Sequence, residues 1–336
     1  MRMVWQNLTE VEAALDAQTG PDAVAWAGAQ ARTQSLTKPP GSLGQLEVLA
    51  VWYCGWRGDA RAKMHAPQII VFAGNHGITA QGVSAFPPEV TAQMVANFNA
   101  GGAAINQLAK LQGARLDVQA LDLDRPTQDF TTGPAMDDAE LLTALNEGAK
   151  AVSGEADLLV VGEMGIGNTT SAAAIAHLLY GGAASDWVGR GTGVDDVGLA
   201  LKAAVVRAGA ARHVGAQGLR ILGAVGGREL AAMAGAILQA RRLRIPVLLD
   251  GFICTAAAAC LEAAKPGALD HCMAAHVSAE GGHACLLERI GKTPLMALDM
   301  RLGEASGGAV AIGLLRAALA CHNGMATFEE AAVSGG

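Results

Sequence analysis

Six short apolar segments recur along the chain, and each ends in glycine, aspartate or another polar residue. They are QIIVFAGNHG (68–77), RLDVQALDLD (115–124), DLLVVGEMG (157–165), IPVLLDGF (245–252), HCMAAHVSAEGG (271–282) and PLMALDMRLGE (294–304). Alanine-rich segments of helical length lie between several of them, such as 169–181, 227–243 and 253–264. Buried strands that alternate with helices are typical of a parallel sheet. The pattern predicts an α/β fold whose mostly parallel, Rossmann-like sheet has about six strands and helices on both faces.

The two ends of the chain lack this alternation. Residues 1–65 contain two helix-like stretches, near 7–32 and 43–57, around the turn SLTKPPGSLG (35–44). Residues 305–321 also have helical character, and 326–333 are predicted to form a short final helix. We therefore expect residues 1–65 and 305–336 to form a small helical domain beside a large α/β domain at 66–304.

Composition excludes several classes of protein. Hydrophobic residues make up 51% of the 336 residues and charged residues 16%, which indicates a large buried core. A net charge of -7 and the lack of a basic run disfavour a nucleic-acid partner. No apolar run reaches the ~18 residues of a membrane span, and the first residues lack an apolar signal core. The six cysteines have no paired spacing, so we expect reduced thiols in a cytoplasmic protein.

The carboxyl ends of parallel strands are where such sheets bind ligands. Five predicted loops there combine glycine with polar residues, namely AGNHG, GEMGIGNTT, LDGF, SAEGGH and RLGEASGG. The repetition across five loops is more informative than any one of them, and it predicts a site at this edge of the sheet.

The loop GEMGIGNT (162–169) resembles the phosphate-loop pattern G-x-x-x-x-G-K-[ST] at every position except the lysine, where Asn168 stands. Glu163 inside the loop would repel a triphosphate. Glycines followed by a helix N-terminus still suit a smaller anion, because free N–H groups and the helix dipole point at it. The alternative is a tight turn with no ligand. The two threonines that follow favour a monophosphate site, with Lys202 supplying positive charge.

A second glycine-rich turn, GRGTGVDD (189–196), is weak evidence alone, but its position suits another wall of the same pocket. Glu304 follows the last apolar segment, where partial burial would raise its pKa and suit a general base. The commoner role of such a residue is to stabilise a helix N-terminus. Glu163 lies in an equivalent loop, so one carboxylate could take a proton while the other stabilises a cationic sugar centre.

The cluster His271, Cys272, His276, His283 and Cys285 matches no common zinc spacing. We interpret these side chains as structural and predict no metal site. Glu280 and His283 nevertheless end a strand at the expected site edge and could orient a ligand.

The motifs together resemble the nicotinate-nucleotide–dimethylbenzimidazole phosphoribosyltransferase family nearly end to end. The segments that carry the resemblance are TKPPGSLGQLE (37–47), residues 72–109, GEMGIGNTTSAAAI (162–175), GRGTGVDD, GGRELAAMAGAIL (226–238), SAEGGHACLLERIG (278–291) and MRLGEASGGA (300–309). Two positions depart from the family pattern. Asn75 stands where many members have aspartate, and Ala305 stands where glycine is common.

The resemblance implies transfer of the phosphoribosyl group of nicotinate mononucleotide to 5,6-dimethylbenzimidazole, in a homodimer without a cofactor. By resemblance, Glu304 is the general base and Glu163 the second essential carboxylate. Further residues are implied to bind the phosphate (Gly165, Ile166, Gly167, Asn168, Thr169, Gly191, Thr192, Gly193 and Lys202) or the base (Ser84, Gln93, Met94 and Leu302).

Three alternatives stay open from the sequence. The acceptor could be another benzimidazole, adenine or a phenol, because one or two methyl groups change binding by only ~1–3 kcal/mol. A non-catalytic nucleotide-binding protein would keep the glycine loops, but it would have no need of both Glu163 and Glu304. A phosphate-loop kinase or NTPase is disfavoured by the missing lysine.

Overall fold

A computed structural model describes residues 4–17, 19–191 and 193–334 of the protein. Its strands are β1 (Pro67–Ala73), β2 (Arg115–Ala120), β3 (Leu158–Met164), β4 (Val247–Leu249), β5 (Cys272–Ala274), β6 (His276–Val277) and β7 (Met296–Ala297). Its helices are α1 (Leu8–Asp16), α2 (Ala23–Ser35), α3 (Gln45–Arg57), α4 (Glu89–Ala100), α5 (Ala104–Leu111), α6 (Asp138–Ala151), α7 (Asn168–Tyr180), α8 (Ala184–Trp187), α9 (Asp196–Arg212), α10 (Arg220–Val225), α11 (Arg228–Arg242), α12 (Phe252–Ala264), α13 (His283–Arg289) and α14 (Ser306–Gly324), with a 3₁₀ turn at Gly77–Gln81.

Five strands form one parallel sheet in the order β2-β1-β3-β4-β5. The parallel α/β prediction is therefore confirmed. From β1 the chain adds β2 on one side of the sheet, and it then adds β3, β4 and β5 on the other side. The point between β1 and β3 is therefore a topological switch point, where such sheets bind ligands. Phe72 on β1 is in register with Glu163 on β3, which places a titratable side chain beside that point.

The prediction of six strands is wrong for this sheet. The last apolar segment contributes only β7, which pairs in parallel with β6 in a separate two-stranded sheet. Asp299 has φ of +53°, and Gly303, Glu304 and Ala305 also have positive φ. Because this left-handed region is incompatible with extended backbone, the strand ends at Ala297.

Helices cover both faces of the sheet, as predicted. Side chains of β1 alternate between two cores, with Ile69 and Val71 in one and Ile70 and Phe72 in the other. Helices α6, α7, α11 and α12 pack on the second of these faces, and α3, α5 and α14 pack on the first. The buried strands and the alanine-rich helices thus form one core on each face of the sheet.

Two details of the terminal helices differ from the prediction. The stretch 7–32 forms two helices, since Gly20 and Pro21 interrupt it and Asp22 caps α2 through the Ala25 N–H at 2.8 Å. The prediction of a final helix at 326–333 is wrong, because this segment forms turns and a single bridge between Thr327 and Leu36.

Helices from both termini nevertheless pack together. The Arg32 Nε donates to the backbone oxygen of His322 at 2.7 Å, which ties α2 to α14. Their core is continuous with one face of the sheet through Trp52, Val160 and Ile312. A domain boundary at residues 65 and 305 stays a prediction. Across the described ranges, no helix combines the length and hydropathy that crossing a bilayer demands.

Candidate active site

The loop between β3 and α7 is a tight strand-to-helix turn, as the sequence predicted. Gly167, at φ of +96°, precedes the first helical residue, and Asn168 and Thr170 donate backbone hydrogen bonds to Gly165 and Gly167. The Ile166 N–H donates to the Thr91 Oγ1 at 3.2 Å. Thr91 is fully buried on α4, and the sequence analysis did not identify it. It fixes the loop from a helix 75 residues away in sequence.

Glu163 is buried at the end of β3, and the Asn168 side-chain amide donates a hydrogen bond to its carboxylate. The pKa of Glu163 is raised to about 8, mainly by burial and then by the nearby Glu229 and Asp250 carboxylates. The hydrogen bond from Asn168 lowers the pKa, but by less than either carboxylate raises it. A pKa of about 8 favours the protonated form of Glu163 at neutral pH.

Glu304 lies on a turn of unusual backbone conformation. Gly303, Glu304 and Ala305 have φ of +80°, +60° and +61° in succession, and the Ser306 hydroxyl donates to the Gly303 oxygen at 2.7 Å. A left-handed conformation costs a non-glycine residue roughly 1–2 kcal/mol, a cost that both Glu304 and Ala305 carry here. A Cβ on Gly162 would collide with the Ala305 backbone, so the glycine lets this turn lie directly on β3.

This packing brings Glu304 beside Glu163. Glu304 is 5% exposed, and burial, followed by the Asp250 carboxylate, raises its pKa to about 7. Glu304 in turn helps to raise the pKa of Glu163. A carboxyl group with a pKa near 7 is suited to accept a proton at neutral pH.

A cleft with about 660 Å³ of empty space opens at the carboxyl ends of the strands, and we name it the acidic cleft. Its wall contains three buried carboxylates, those of Glu163, Asp250 and Glu280, together with Arg301. Its other lining residues are Met164, Gly165, Ile166, Asn168, Thr169, Gly191, Gly251, Phe252, Ile253, Cys254, His276, Ser278, Leu302 and Gly303. Four of the five predicted loops contribute, whereas AGNHG lies behind the wall.

A smaller hollow with about 270 Å³ of empty space, open solvent included, lies on the other side of the same loop, and we name it the basic cavity. It is lined by Val83, Ser84, Gly165, Ile166, Gly167, Asn168, Thr169, Arg190, Val194 and Lys202. Residues 165, 166, 168 and 169 line both spaces. The loop therefore separates an acidic space from a basic one.

Lys202 is buried in the basic cavity and 1% exposed. Its ammonium donates to the Thr169 Oγ1 at 3.0 Å and to the Gly189 oxygen at 2.8 Å. Burial lowers the pKa of Lys202 to about 8, and the Glu280 carboxylate opposes this effect. The side chain therefore keeps its positive charge at neutral pH, next to the N-terminus of α7.

The second glycine-rich turn meets the first one. A Cβ on Gly191 would lie 3.0 Å from the Thr169 Oγ1 and 3.3 Å from the Lys202 Nζ, so these groups are neighbours. The Arg301 guanidinium donates to the Gly191 oxygen at 3.3 Å, which joins this turn to the segment before Glu304. Gly193 lines neither space, and Thr192 lies outside the described residues.

The residues implied to bind the base are dispersed. Leu302 is exposed and lines the acidic cleft, while Ser84 is half-buried and lines the basic cavity. Gln93 is exposed on α4, and Met94 packs against the core below α4; neither lines either space. In the described structure, four residues attributed to one pocket thus lie in three different places.

Two of the three histidines in the cluster have structural roles. The His271 Nε2 donates to the Ile237 oxygen at 2.9 Å, and burial lowers the pKa of His271 to about 3. The His283 Nδ1 accepts from the Ser278 N–H at 2.8 Å, and burial likewise lowers the pKa of His283 to about 3. His276 lines the acidic cleft, 3.6 Å from Asp250. Among the described residues, no three His, Cys, Asp or Glu side chains are grouped as a metal site.

Sequence reasoning overlooked Asp250, which ends β4 in the loop LDGF. Its carboxylate accepts from the Gly308 N–H at 2.8 Å and so holds the first turn of α14 near the cleft. Its position directly after a buried strand was the available signal. Together these groups form a site with buried carboxyl groups on one side and an anion-binding helix N-terminus with a lysine on the other. Such a site can hold a phosphate while it stabilises positive charge nearby.

Comparisons with known proteins agree with this chemistry. The sequence profile of a family described as phosphoribosyltransferase matches residues 19–333. A Ruegeria pomeroyi protein is 67% identical over 98% of each chain, and a Jannaschia protein is 64% identical over 98% of each chain. Both are named nicotinate-nucleotide–dimethylbenzimidazole phosphoribosyltransferase.

A solved structure has the same fold. The crystal structure of CobT from Thermus thermophilus superposes with a TM-score of 0.87 at 40% identity, covering 93% of this chain and 100% of that chain. The matches to the profile, to the relatives and to this structure each extend along nearly the whole chain. The chain belongs to the nicotinate-nucleotide–dimethylbenzimidazole phosphoribosyltransferase family.

Proposed function

We propose that the protein transfers the 5-phosphoribosyl group of nicotinate mononucleotide to 5,6-dimethylbenzimidazole, giving α-ribazole 5′-phosphate and nicotinate. This is the reaction implied by the names of its relatives, and it serves synthesis of the lower ligand of cobalamin. The observation that carries the proposal is the shared loop 165–169, which has buried carboxyl groups on one side and a buried lysine on the other.

The phosphate lies in the basic cavity under this proposal. The first N–H groups of a helix have no partner four residues earlier in the helix. In α7 those of Asn168 and Thr170 donate to loop oxygens, which leaves the Thr169 N–H as the donor to an anion. Lys202 adds a positive charge 3.0 Å from the Thr169 hydroxyl, and Arg190 lines the same cavity. One lysine and one arginine suit a monophosphate. Gly191 supplies part of the cradle through its contact with Lys202, and residues 192 and 193 are assigned to it by resemblance only.

The reacting sugar carbon lies on the acidic side of the loop. The bond from C1 of the ribose to the pyridinium nitrogen breaks, and its electron pair leaves with nicotinate as a neutral ring nitrogen. One nitrogen of the benzimidazole attacks C1 from the opposite face. A β-configured nucleotide therefore gives the α-configured product.

Glu304 acts as the general base in this scheme. The attacking ring would become cationic unless its second nitrogen lost a proton, and Glu304 accepts that proton. A pKa of about 7 matches this task at neutral pH. Glu304 is held just behind Gly303, which lines the cleft, so a small movement of the turn suffices for contact with the acceptor.

Glu163 stabilises the positive charge that develops at C1. It is protonated in the ligand-free protein, since its pKa is about 8. A cationic pyridinium nucleotide lowers that pKa, because an opposite charge favours the carboxylate. The substrate therefore generates the anion that its own transition state needs.

The acceptor enters beside Leu302. Its exposed side chain leaves an apolar rim of the acidic cleft open to solvent. We propose that a second copy of the chain covers this rim in a homodimer and that Ser84, Gln93 and Met94 approach the acceptor in that assembly. We also propose the two-domain division at residues 65 and 305, a cytoplasmic location and the absence of a nucleic-acid partner.

The test is a direct assay. Purified protein is mixed with nicotinate mononucleotide and 5,6-dimethylbenzimidazole, nicotinate release is followed by chromatography, and the anomeric configuration is assigned by NMR. We expect acceptor-dependent release and an α-product, unaffected by EDTA because the leaving group is already neutral. Folded protein that binds the nucleotide without turnover would support a non-catalytic binding protein. A screen with adenine, phenol and other benzimidazoles identifies the preferred acceptor.

A further inference from the structure

A buried acid–histidine pair lies behind the loop wall, outside both spaces. Glu229, on the first turn of α11, is 0% exposed, and His76, after β1, is 1% exposed. The His76 Nε2 contacts the Glu229 Oε1, and the His76 Nδ1 lies 3.1 Å from the Ser171 hydroxyl on α7. A chain of polar contacts thus connects α11, the loop AGNHG and α7. Burying such groups is costly unless they are paired, so the pair needs an explanation.

Three glycines surround the Glu229 carboxylate. A Cβ on Gly74 would lie 2.5 Å from its Oε2, a Cβ on Gly165 would lie 3.0 Å from its Oε1, and a Cβ on Gly227 would lie 2.7 Å from its Oε2. Gly74 follows β1, and Gly165 follows β3. The carboxylate therefore occupies the fork between these two strand ends, at the switch point of the sheet. These short distances explain why AGNHG has glycine at 74, GEMG at 165 and GGRE at 227, since a Cβ at any of these positions would crowd the Glu229 carboxylate.

The fork contact fixes the loop that carries the site. Gly165 follows Glu163 by two residues and lines both the acidic cleft and the basic cavity. The Gly74 N–H donates to the Met164 oxygen at 3.0 Å, which joins the two strand ends directly. Any movement of the Glu229 carboxylate is therefore transmitted to both sides of the loop.

The charge of Glu229 also reaches the site. Its Oε2 has no hydrogen-bond partner among the described residues. Among the neighbouring carboxylates, Glu229 raises the pKa of Glu163 most, ahead of Asp250 and Glu304. The other titratable or charged groups around this region are His76 on the loop after β1, His276 on β6 beside Asp250, and Glu280 and Arg301 in the cleft wall.

We propose that Glu229, hydrogen bonded to His76, is a positioning residue that holds the ends of β1 and β3 together and keeps the loop 162–169 and Glu163 in their working arrangement. It touches no substrate and acts through Gly165 and Glu163. The inference deepens the proposed function and rests on it for its kinetic readout.

The test compares Glu229→Gln and Glu229→Ala with the wild type and with Asp157→Asn. Gln keeps the shape and the contact with His76 but removes the charge, and Ala removes both. Asp157 is a matched control, because it is also a buried carboxylate and precedes the opposite end of β3, where it accepts from the Ala66 N–H at 2.9 Å. We expect Glu229→Ala to lower kcat roughly 10²-fold through loss of alignment. Asp157→Asn should change kcat less than twofold at an equal loss of thermal stability.

Two readouts need no turnover. In ¹³C-glutamate NMR, with the Glu163 signal assigned by Glu163→Gln, we expect the midpoint of the Glu163 titration to fall in Glu229→Gln because a like charge is gone. In hydrogen exchange, Glu229→Ala should expose the peptide 162–169 while the same peptide stays protected in Asp157→Asn. These measurements decide the inference even if the wild type fails to turn over nicotinate mononucleotide. An unchanged Glu163 titration together with unchanged exchange of 162–169 overturns it.

Discussion

The side-chain amide of Asn168 donates a hydrogen bond to the carboxylate of Glu163, five residues earlier in the same loop. Asn168 stands at the position where a phosphate loop has its lysine. Here the side chain turns toward Glu163 and supports an acid, while Lys202 lies in the basic cavity, where we propose that the phosphate binds. The missing lysine therefore reflects a division of tasks across the loop.

Asn168→Asp should abolish most activity. The substitution removes the donor and places a second carboxyl group against Glu163, so one of the two must hold a proton. We expect kcat for nicotinate release to fall about 10²-fold, as misalignment at a reacting centre does. The control is Asn106→Asp, which likewise removes an amide donor, here to the Phe98 oxygen at 2.8 Å, and keeps the acceptor for the Ala103 N–H at 3.0 Å, away from the site. Equal activities of the two variants would contradict the role of Asn168.

Glu304→Gln should lower kcat by roughly 10²–10⁴-fold, the usual contribution of a general base. Nucleotide binding, measured by calorimetry, should be retained. Because the base acts only after it loses its proton, kcat/KM of the wild type should rise as the pH increases through about 7. This rise should be absent from the residual activity of Glu304→Gln. The exposed Glu155→Gln serves as control, and normal turnover by Glu304→Gln would refute the base assignment.

Lys202→Met should raise KM for the nucleotide substrate and leave turnover of the corresponding nucleoside unchanged. Hydrogen bonds to charged groups contribute about 1.5–3 kcal/mol, so KM for nicotinate mononucleotide should rise on the order of 10–100-fold. Turnover of the phosphate-free nicotinate riboside should not change. Lys292→Met is the matched control, because Lys292 also donates to a backbone oxygen, that of Leu269 at 2.7 Å, away from the site. An equal loss with both substrates would place Lys202 outside the phosphate site.

Glu163→Gln should stabilise the protein against alkaline conditions. The pKa of Glu163 is raised in the folded state, so its contribution to the free energy of unfolding is fully present below about pH 4.5 and is lost as the pH rises toward 8. Glutamine mimics the protonated acid and has no such loss. The difference in Tm between Glu163→Gln and the wild type should therefore grow between pH 5 and pH 9 in calorimetric scans. A constant difference would mean that Glu163 does not titrate in this range.

Local features of the site were predictable from the sequence. The turn before α7 and the burial of Glu163 at the end of β3 follow from short-range patterns of apolar residues, glycine and threonine. Glu304 was expected directly after a strand, but it lies on the turn before α14, well beyond the end of β7. Thr91 and Glu229 lack such a pattern, since each reaches the loop from a helix far away in sequence. The strand count failed for a conformational reason, because the positive φ of Asp299 cannot be read from its residue type alone.

The loop 165–169 is a single wall with a different task on each side. Under the proposed function, a substitution in it should alter both the binding of the phosphate and the surroundings of the reacting carbon, because residues 165, 166, 168 and 169 line both spaces. The exposed rim at Leu302 lines the acidic cleft alone. Descendants of this protein can therefore acquire new acceptor bases by changing the rim while the donor nucleotide stays the same. We therefore expect such enzymes to differ from one another mainly in the acceptor base that they use.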